Sequence, residues 1–311
     1  MLPLAPALAL ALIFVVAVCA PIAFASHGRH GSSVHAGGPS AHAAIIGGAP
    51  AQTGAYPSLA YVVDFQGTVA YQCTGTVIAP SLVLTAGHCA ENMQTGALFS
   101  ASGYRVVIGA VEPLLPELPV SSVLGVIVYP GFNRKTDDGD AALLVLSAPT
   151  TALPVKLASA SFAKHLADGT SATIAGWGRT SYEQTSLTEH LQFATTAVQG
   201  GKWCKGNAPP FYARSEICTI SPPSYGTGAC EGDSGGPLLV SGPSGEAVEV
   251  GVTDHVYEKC STRRPSVFAD VSALSSWIQS WVLAYAHTPP PPNPSPPTML
   301  PPGTSPQPAP S

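Results

Sequence analysis

Gly232-Asp233-Ser234-Gly235-Gly236-Pro237 sets a serine in a turn with glycine on both sides. Glycine reaches backbone angles closed to other residues, so such a turn can hold a hydroxyl and its neighbouring N–H groups outward. A serine hydroxyl is a weak nucleophile at neutral pH until a base takes its proton. Upstream, Thr85-Ala86-Gly87-His88-Cys89 follows the apolar run Ser81–Leu84 and supplies an imidazole, whose ordinary pKa near ~6.5 suits that task. Between the two lies Asp140-Ala141-Ala142-Leu143-Leu144, an acid just before an apolar run. Each pattern alone has a bland reading, since a lone histidine is usually a surface or core side chain and aspartate commonly ends a turn. Together they offer a base, an orienting acid and a nucleophile in the order His, Asp, Ser, distinct from the orders Ser-Asp-His and Asp-His-Ser found on other folds.

The runs around these patterns predict β structure. Ser58–Asp64, Leu82–Leu84, Tyr104–Ile108, Val123–Tyr129, Ala141–Leu146 and Val248–Val252 are short, β-branched or aliphatic, and separated by Gly, Pro, Ser and Asn, as in a sandwich or barrel of short strands. A strong helical period occurs once, where Val271, Leu274, Trp277, Ile278, Trp281, Val282 and Tyr285 recur at spacings of three and four. One stripe of that kind packs a terminal helix against a core and carries no chemistry. The 31 glycines and 32 prolines among 311 residues suit a turn-rich β protein better than a helical bundle. A net charge of −5 gives no basic field for a nucleic-acid backbone.

The ends differ from the middle. Leu2 to Phe24 is almost wholly apolar, and Ala23-Phe24-Ala25 fits a signal-peptidase site. Residues 1–25 therefore read as a secretory signal peptide, although no Lys or Arg precedes the apolar run. The rival is a membrane anchor, but Pro3 and Pro6 shorten the usable stretch. The expected product is secreted, extracellular and free of the membrane. Residues 26–44 hold Gly, Ser, Ala and four histidines with no apolar period, a flexible pro-segment. Thr288 to Ser311 contains twelve prolines and no charge, a disordered Pro-rich tail of polyproline character. Losing Cys19 with the signal leaves Cys73, Cys89, Cys204, Cys218, Cys230 and Cys260. An even number in an exported chain implies three disulfides, with fifteen connectivities open to the sequence.

With these residues in view, the chain resembles the chymotrypsin-type (trypsin-like) serine proteases. The likeness runs from Ile45-Ile46-Gly47-Gly48 through Ala175-Gly176-Trp177-Gly178 to Trp277-Ile278 and includes the three patterns above. It implies an all-β fold of two antiparallel six-stranded β-barrels with a C-terminal helix, the active site lying in the cleft between barrels, and a protease domain over residues 45–287. It implies that His88 is the general base, Asp140 its orienting acid and Ser234 the nucleophile, with the N–H groups of Gly232 and Ser234 as the oxyanion hole. The implied disulfides are Cys73–Cys89, Cys204–Cys218 and Cys230–Cys260. The implied zymogen is cleaved before Ile45, whose new amine pairs with Asp233. Polypeptide substrates and protein inhibitors are the expected partners of a monomer that needs no cofactor and no metal; Glu112 and Glu117 make a weak case for calcium.

The substrate pocket departs from the family pattern. Its implied lining includes Gly228, Val256 and Ser266. Gly228 stands where trypsins keep an acid, so no charge awaits Lys or Arg. In Val252-Thr253-Asp254-His255-Val256-Tyr257 the family's Ser-Trp-Gly motif is missing. The preferred register puts Asp254 at the serine and Val256 at the glycine, narrowing the pocket toward small apolar residues; a one-residue shift puts Tyr257 there and still narrows it, and if neither side chain points inward a chymotrypsin-like aromatic preference returns. Two carboxylates at Asp140 and Asp254 cannot both ionise cheaply if they meet. Ala43-Ala44 before Ile45 suits self-activation by such an enzyme. A protease-like binding protein without turnover is the alternative from another class, and covalent labelling of Ser234 separates the two.

Overall fold

The computed structural model describes residues 45–286 and 307–308, apart from Thr68, His165 and Thr185. The segments expected to be a signal peptide (1–25), a pro-segment (26–44) and, but for Gln307–Pro308, a Pro-rich tail (288–311) lie outside the described residues. After a two-residue strand β1 (Ala49–Pro50), six strands build the first barrel: β2 (Leu59–Gln66), β3 (Val69–Ala79), β4 (Leu82–Thr85), β5 (Tyr104–Ile108), β6 (Ser121–Val128) and β7 (Ala142–Leu146). Their antiparallel pairing runs β3-β2-β5-β6-β7-β4 and closes through β3–β4. The short β8 (Lys156–Leu157) and the single turn α1 (Ala160–Ala163) then lead to the second barrel. It comprises β9 (Ser171–Gly176), β10 (Gln192–Gln199), β11 (Glu216–Ile220), β12 (Pro237–Ser241), β13 (Ala247–His255) and β14 (Ser266–Asp270), with α2 (Gly201–Asn207) between β10 and β11. Here the order β10-β11-β14-β13-β12-β9 closes through β9–β10. Closure removes the open edges that would otherwise invite pairing with other chains.

The amphipathic stripe forms α3 (Val271–Ala286), where Val271, Leu274 and Ile278 are buried and Trp277, Trp281, Val282 and Tyr285 pack against the same core. From the tail, β15 (Gln307–Pro308) pairs in parallel with Tyr71 and Gln72 of β3. Among the described residues no helix is long and apolar enough to cross a membrane.

The two barrels share their packing. On β2, Ala60 and Val62 point into one apolar cluster while Leu59, Tyr61 and Val63 point into another. The second cluster also takes Val107 from β5, Ala175 from β9 and the fully buried Trp177 just beyond it. The Tyr61 and Trp177 rings meet edge-on with centroids 5.5 Å apart, a favoured aromatic geometry. Burying side chains of this size stabilises by roughly 2–3 kcal/mol each. Three disulfides, Cys73–Cys89, Cys204–Cys218 and Cys230–Cys260, close loops spanning 16, 14 and 30 residues. Each restricts the unfolded chain by about 3 kcal/mol.

Candidate active site

His88 follows β4 in the turn Ala86–Cys89, and Asp140 precedes β7. Because β4 and β7 pair in register, Thr85 opposite Ala142, the two side chains meet at one end of the first barrel. The Asp140 carboxylate is wholly buried and is held twice by its partner: Oδ1 accepts the His88 backbone N–H at 2.8 Å, and Oδ2 lies 2.5 Å from Nδ1. Nδ1 is thereby the protonated nitrogen, leaving Nε2 as the free base. Nε2 is buried and makes no hydrogen bond among the described residues. Burial alone would lower the imidazole's pKa. The Asp140 charge and hydrogen bond, with Asp137 adding to them, outweigh it and raise the pKa above its ordinary value.

Ser234 reaches this end of the first barrel from the second. Its carbonyl accepts the Thr74 N–H of β3 at 2.8 Å. Gly235 has φ +78, and a Cβ there would lie 2.2 Å from Thr85 Oγ1 and 2.4 Å from the Thr74 carbonyl. Only glycine lets the serine turn dock this closely on the strands that carry His88. Gly232 is also left-handed (φ +96), its carbonyl accepting the Thr74 hydroxyl at 3.1 Å. The N–H groups of Gly232 and Ser234 donate no hydrogen bond among the described residues, whereas those of Asp233, Gly235 and Gly236 are engaged. The sequence reading passed over Gln72 and Thr74; both are buried, and Gln72 Nε2 donates to the Trp177 carbonyl at 2.9 Å. Polar residues alternating into a buried strand were the available signal for these inter-barrel clamps.

The model of the family described as Trypsin matches residues 45–278. The chain belongs to the trypsin family. It is 33% identical over 242 residues to a trypsin of Saccharopolyspora erythraea, covering 78% of this chain and all of that protein. A serine protease of Anopheles gambiae, SP24D, is 31% identical over 246 residues, with 78% of this chain and 83% of the other covered. Trypsin delta of Drosophila melanogaster is 27% identical over 237 residues, 76% of this chain and 87% of that one. As a trypsin-family member the protein is a serine endopeptidase whose substrates are polypeptides.

Beside Ser234 opens a cavity of about 320 Å3, walled by Val256, Tyr257 and the Cys230–Cys260 disulfide. Gly228 and Ser266 are not in its lining; Ser266 Oγ lies 3.7 Å from where a Gly228 side chain would begin and accepts the Ala229 N–H at 3.2 Å. At the amino end of the trypsin-family region, Ile45 is wholly buried and Ile46 bridges Gly228 through paired backbone bonds. The buried Asp233 carboxylate accepts the Cys230 and Gly178 N–H groups, each at 2.9 Å. Burial, opposed by those two N–H groups alone, pushes its pKa up to about 7. Glu112, weighed for calcium, pairs with His190 at 3.2 Å.

The missing Ser-Trp-Gly segment has a physical consequence. Pairing of β13 with β14 slips between Thr253 and His255, so Asp254 is the extra residue of a bulge and is turned inward. It is buried; no N–H group among the described residues donates to either oxygen, His255 Nδ1 lies 3.3 Å from Oδ2, and the Asp140 carboxylate is a close neighbour. Burial first, then the charges of Asp140, Asp137 and Glu216, raise its pKa well above the carboxylate range. Burial lowers His255 to about 4. This is the carboxylate encounter feared from the sequence: Asp254 does not point away.

Proposed function

We propose that this trypsin-family protein is a secreted endopeptidase, made as a zymogen, with His88, Asp140 and Ser234 as its catalytic triad. The observation that carries the proposal is the buried His88–Asp140 pair, Nδ1 to Oδ2 at 2.5 Å with Nε2 left unbonded. In this reading Ser234 Oγ attacks the substrate carbonyl carbon as His88 Nε2 takes its proton. The carbonyl oxygen becomes an oxyanion, met by the N–H groups of Gly232 and Ser234, which are aimed before the reaction starts. Asp140 stabilises the imidazolium, which then gives its proton to the leaving amine. Water attacks the acyl-enzyme by the same route in reverse, releasing the acid and restoring the serine. The roles are those of the family's own reference triad.

Small apolar residues are the proposed preference on the acyl side of the cleaved bond. Val256 in the cavity wall supports it. Activation is proposed to be cleavage between Ala44 and Ile45, performed by the enzyme itself on its small-residue site. The buried Asp233 supports this, because a buried carboxylate gains greatly from a new ammonium partner.

A fluorophosphonate probe should label Ser234 covalently after maturation and not before, and a peptide library should return cleavage after Ala or Val. Absence of labelling in a correctly processed chain would make the protein a binding module on a protease fold. A Ser234→Ala precursor that still matures alone at the normal rate would eliminate self-activation.

A further inference from the structure

Asp137, Asp254 and His255 converge beside the triad, with one ligand atom from each within 4.8 Å of the others. Asp254 forms the buried floor, and the part-exposed Asp137 and His255 form the rim. Among the described residues no N–H group donates to either oxygen of Asp254, and His255 Nδ1 has no hydrogen-bond partner. A buried carboxylate without a donor is an expensive thing to leave in a fold. Two carboxylates and an imidazole make a donor set suited to zinc and its neighbours, not to calcium, which takes oxygen ligands alone. The spacing fits as well. Metal–ligand distances near ~2.0–2.1 Å in a tetrahedron put ligand atoms about 3.3 Å apart, and His255 Nδ1 to Asp254 Oδ2 is 3.3 Å. The other convergent groups serve less well: Cys73 and Cys89 are tied in a disulfide, and Asp140 is committed to His88.

We infer that Asp137, Asp254 and His255 bind a zinc-class divalent cation, which reversibly inhibits the enzyme. The inhibitory part rests on the triad proposed above. Hydrolysis puts a positive charge on His88, and the negative charges of Asp140 and Asp137 favour it. A dication held on Asp137 and Asp254 opposes that charge. It also occupies the cleft, since Asp254 and His255 line the same cavity as Ser234.

The test is zinc titration by calorimetry into the full chain carrying Ser234→Ala, which cannot digest itself. One zinc per chain with a micromolar dissociation constant is expected, with no heat from calcium at the same concentration. Asp137→Asn and His255→Ala should each weaken binding at least tenfold. Both side chains are part-exposed, and Asp137 has φ +57, where asparagine is well tolerated, so these variants fold. In the active enzyme, zinc should lower kcat/KM at least tenfold, with full recovery on chelation. No zinc heat, or equal heat in both variants, overturns the site. Zinc binding that leaves kcat/KM unchanged in an active enzyme overturns the inhibition. Zinc binding in a chain that labels with no serine probe upholds the site and removes the proposed triad chemistry instead.

Discussion

At Asp140 a single proton's position decides whether the imidazole is a base. Asp140→Asn keeps the shape and the buried volume, but its amide can donate to Nδ1 and so favour the tautomer with the proton on Nε2. Single-turnover and steady-state assays should both show kcat falling by about 10^4, the size known for the family's reference triad, with folding intact by circular dichroism. Normal turnover in that variant would remove Asp140 from the mechanism. Val256 is tested by enlargement of the cavity it walls. Val256→Gly should shift the kcat/KM ratio of Phe over Ala substrates upward by at least about 10- to 200-fold, the range for a single methylene in an apolar pocket. An unchanged ratio would mean the side chain does not reach the substrate. His88 and Ser234 were legible in the sequence because each needs its neighbours within a few residues. Asp254 was legible only in part: the register put it near Asp140, but its inward turn depends on a slip against β14 that local pattern cannot register.

Among the elements, the serine turn and β3 act as one piece. Thr74 alone gives the turn two contacts, its N–H to the Ser234 carbonyl and its hydroxyl to the Gly232 carbonyl, while Gly235 closes onto Thr85. Gly235→Ala forces a side chain into a left-handed backbone and onto a backbone carbonyl at once. The conformational part alone costs roughly 1–2 kcal/mol, and a domain of this size loses about 2–4 °C of Tm per kcal/mol. Thermal unfolding of the variant should therefore fall by at least about 2 °C, and activity should fall with it; an unchanged Tm would show that the turn can move away from β3. This same coupling explains what the sequence hid. Tyr104–Ile108 is a strand at the very bounds its composition predicts, because one face meets the core and its ends meet turns. The eleven residues of β3, the longest strand, escaped because Gln72, Thr74 and Thr76 are buried and break the apolar run. Their polarity serves the other barrel, and only the assembled cleft shows why it is there. The α3 stripe was legible for the opposite reason: it packs by one simple face.

For the whole molecule the buried acids set the dependence of stability on pH. Asp233 is held up to about 7 and Glu249 to about 8, in each case chiefly by burial. In the unfolded chain both titrate near ~4. Between those values the folded state binds more protons than the unfolded one, so stability falls as pH rises, by up to about 1.4 kcal/mol per pH unit for each group. His255, lowered to about 4, acts in the reverse sense only up to its unfolded value near ~6.5. From pH 6.5 to 8 the acids therefore act without that opposition, and denaturant midpoints should decline across the window. Glu249→Gln keeps the volume, removes one titration and should flatten the decline; a slope unchanged by the substitution would mean that Glu249 is ionised in the fold. Activation supplies the second half of the same argument. Cleavage before Ile45 would create an ammonium next to the chain that bridges Gly228, and its pairing with Asp233 would bring that carboxyl back down. Asp233 would then be ionised in both states above pH 5, and its share of the slope would vanish. Urea unfolding of the precursor and of the processed chain, both carrying Ser234→Ala and processed by an added protease, should thus diverge between pH 5 and 7, with the processed form gaining stability relative to the precursor as pH rises. Parallel curves would show that the new terminus never reaches Asp233.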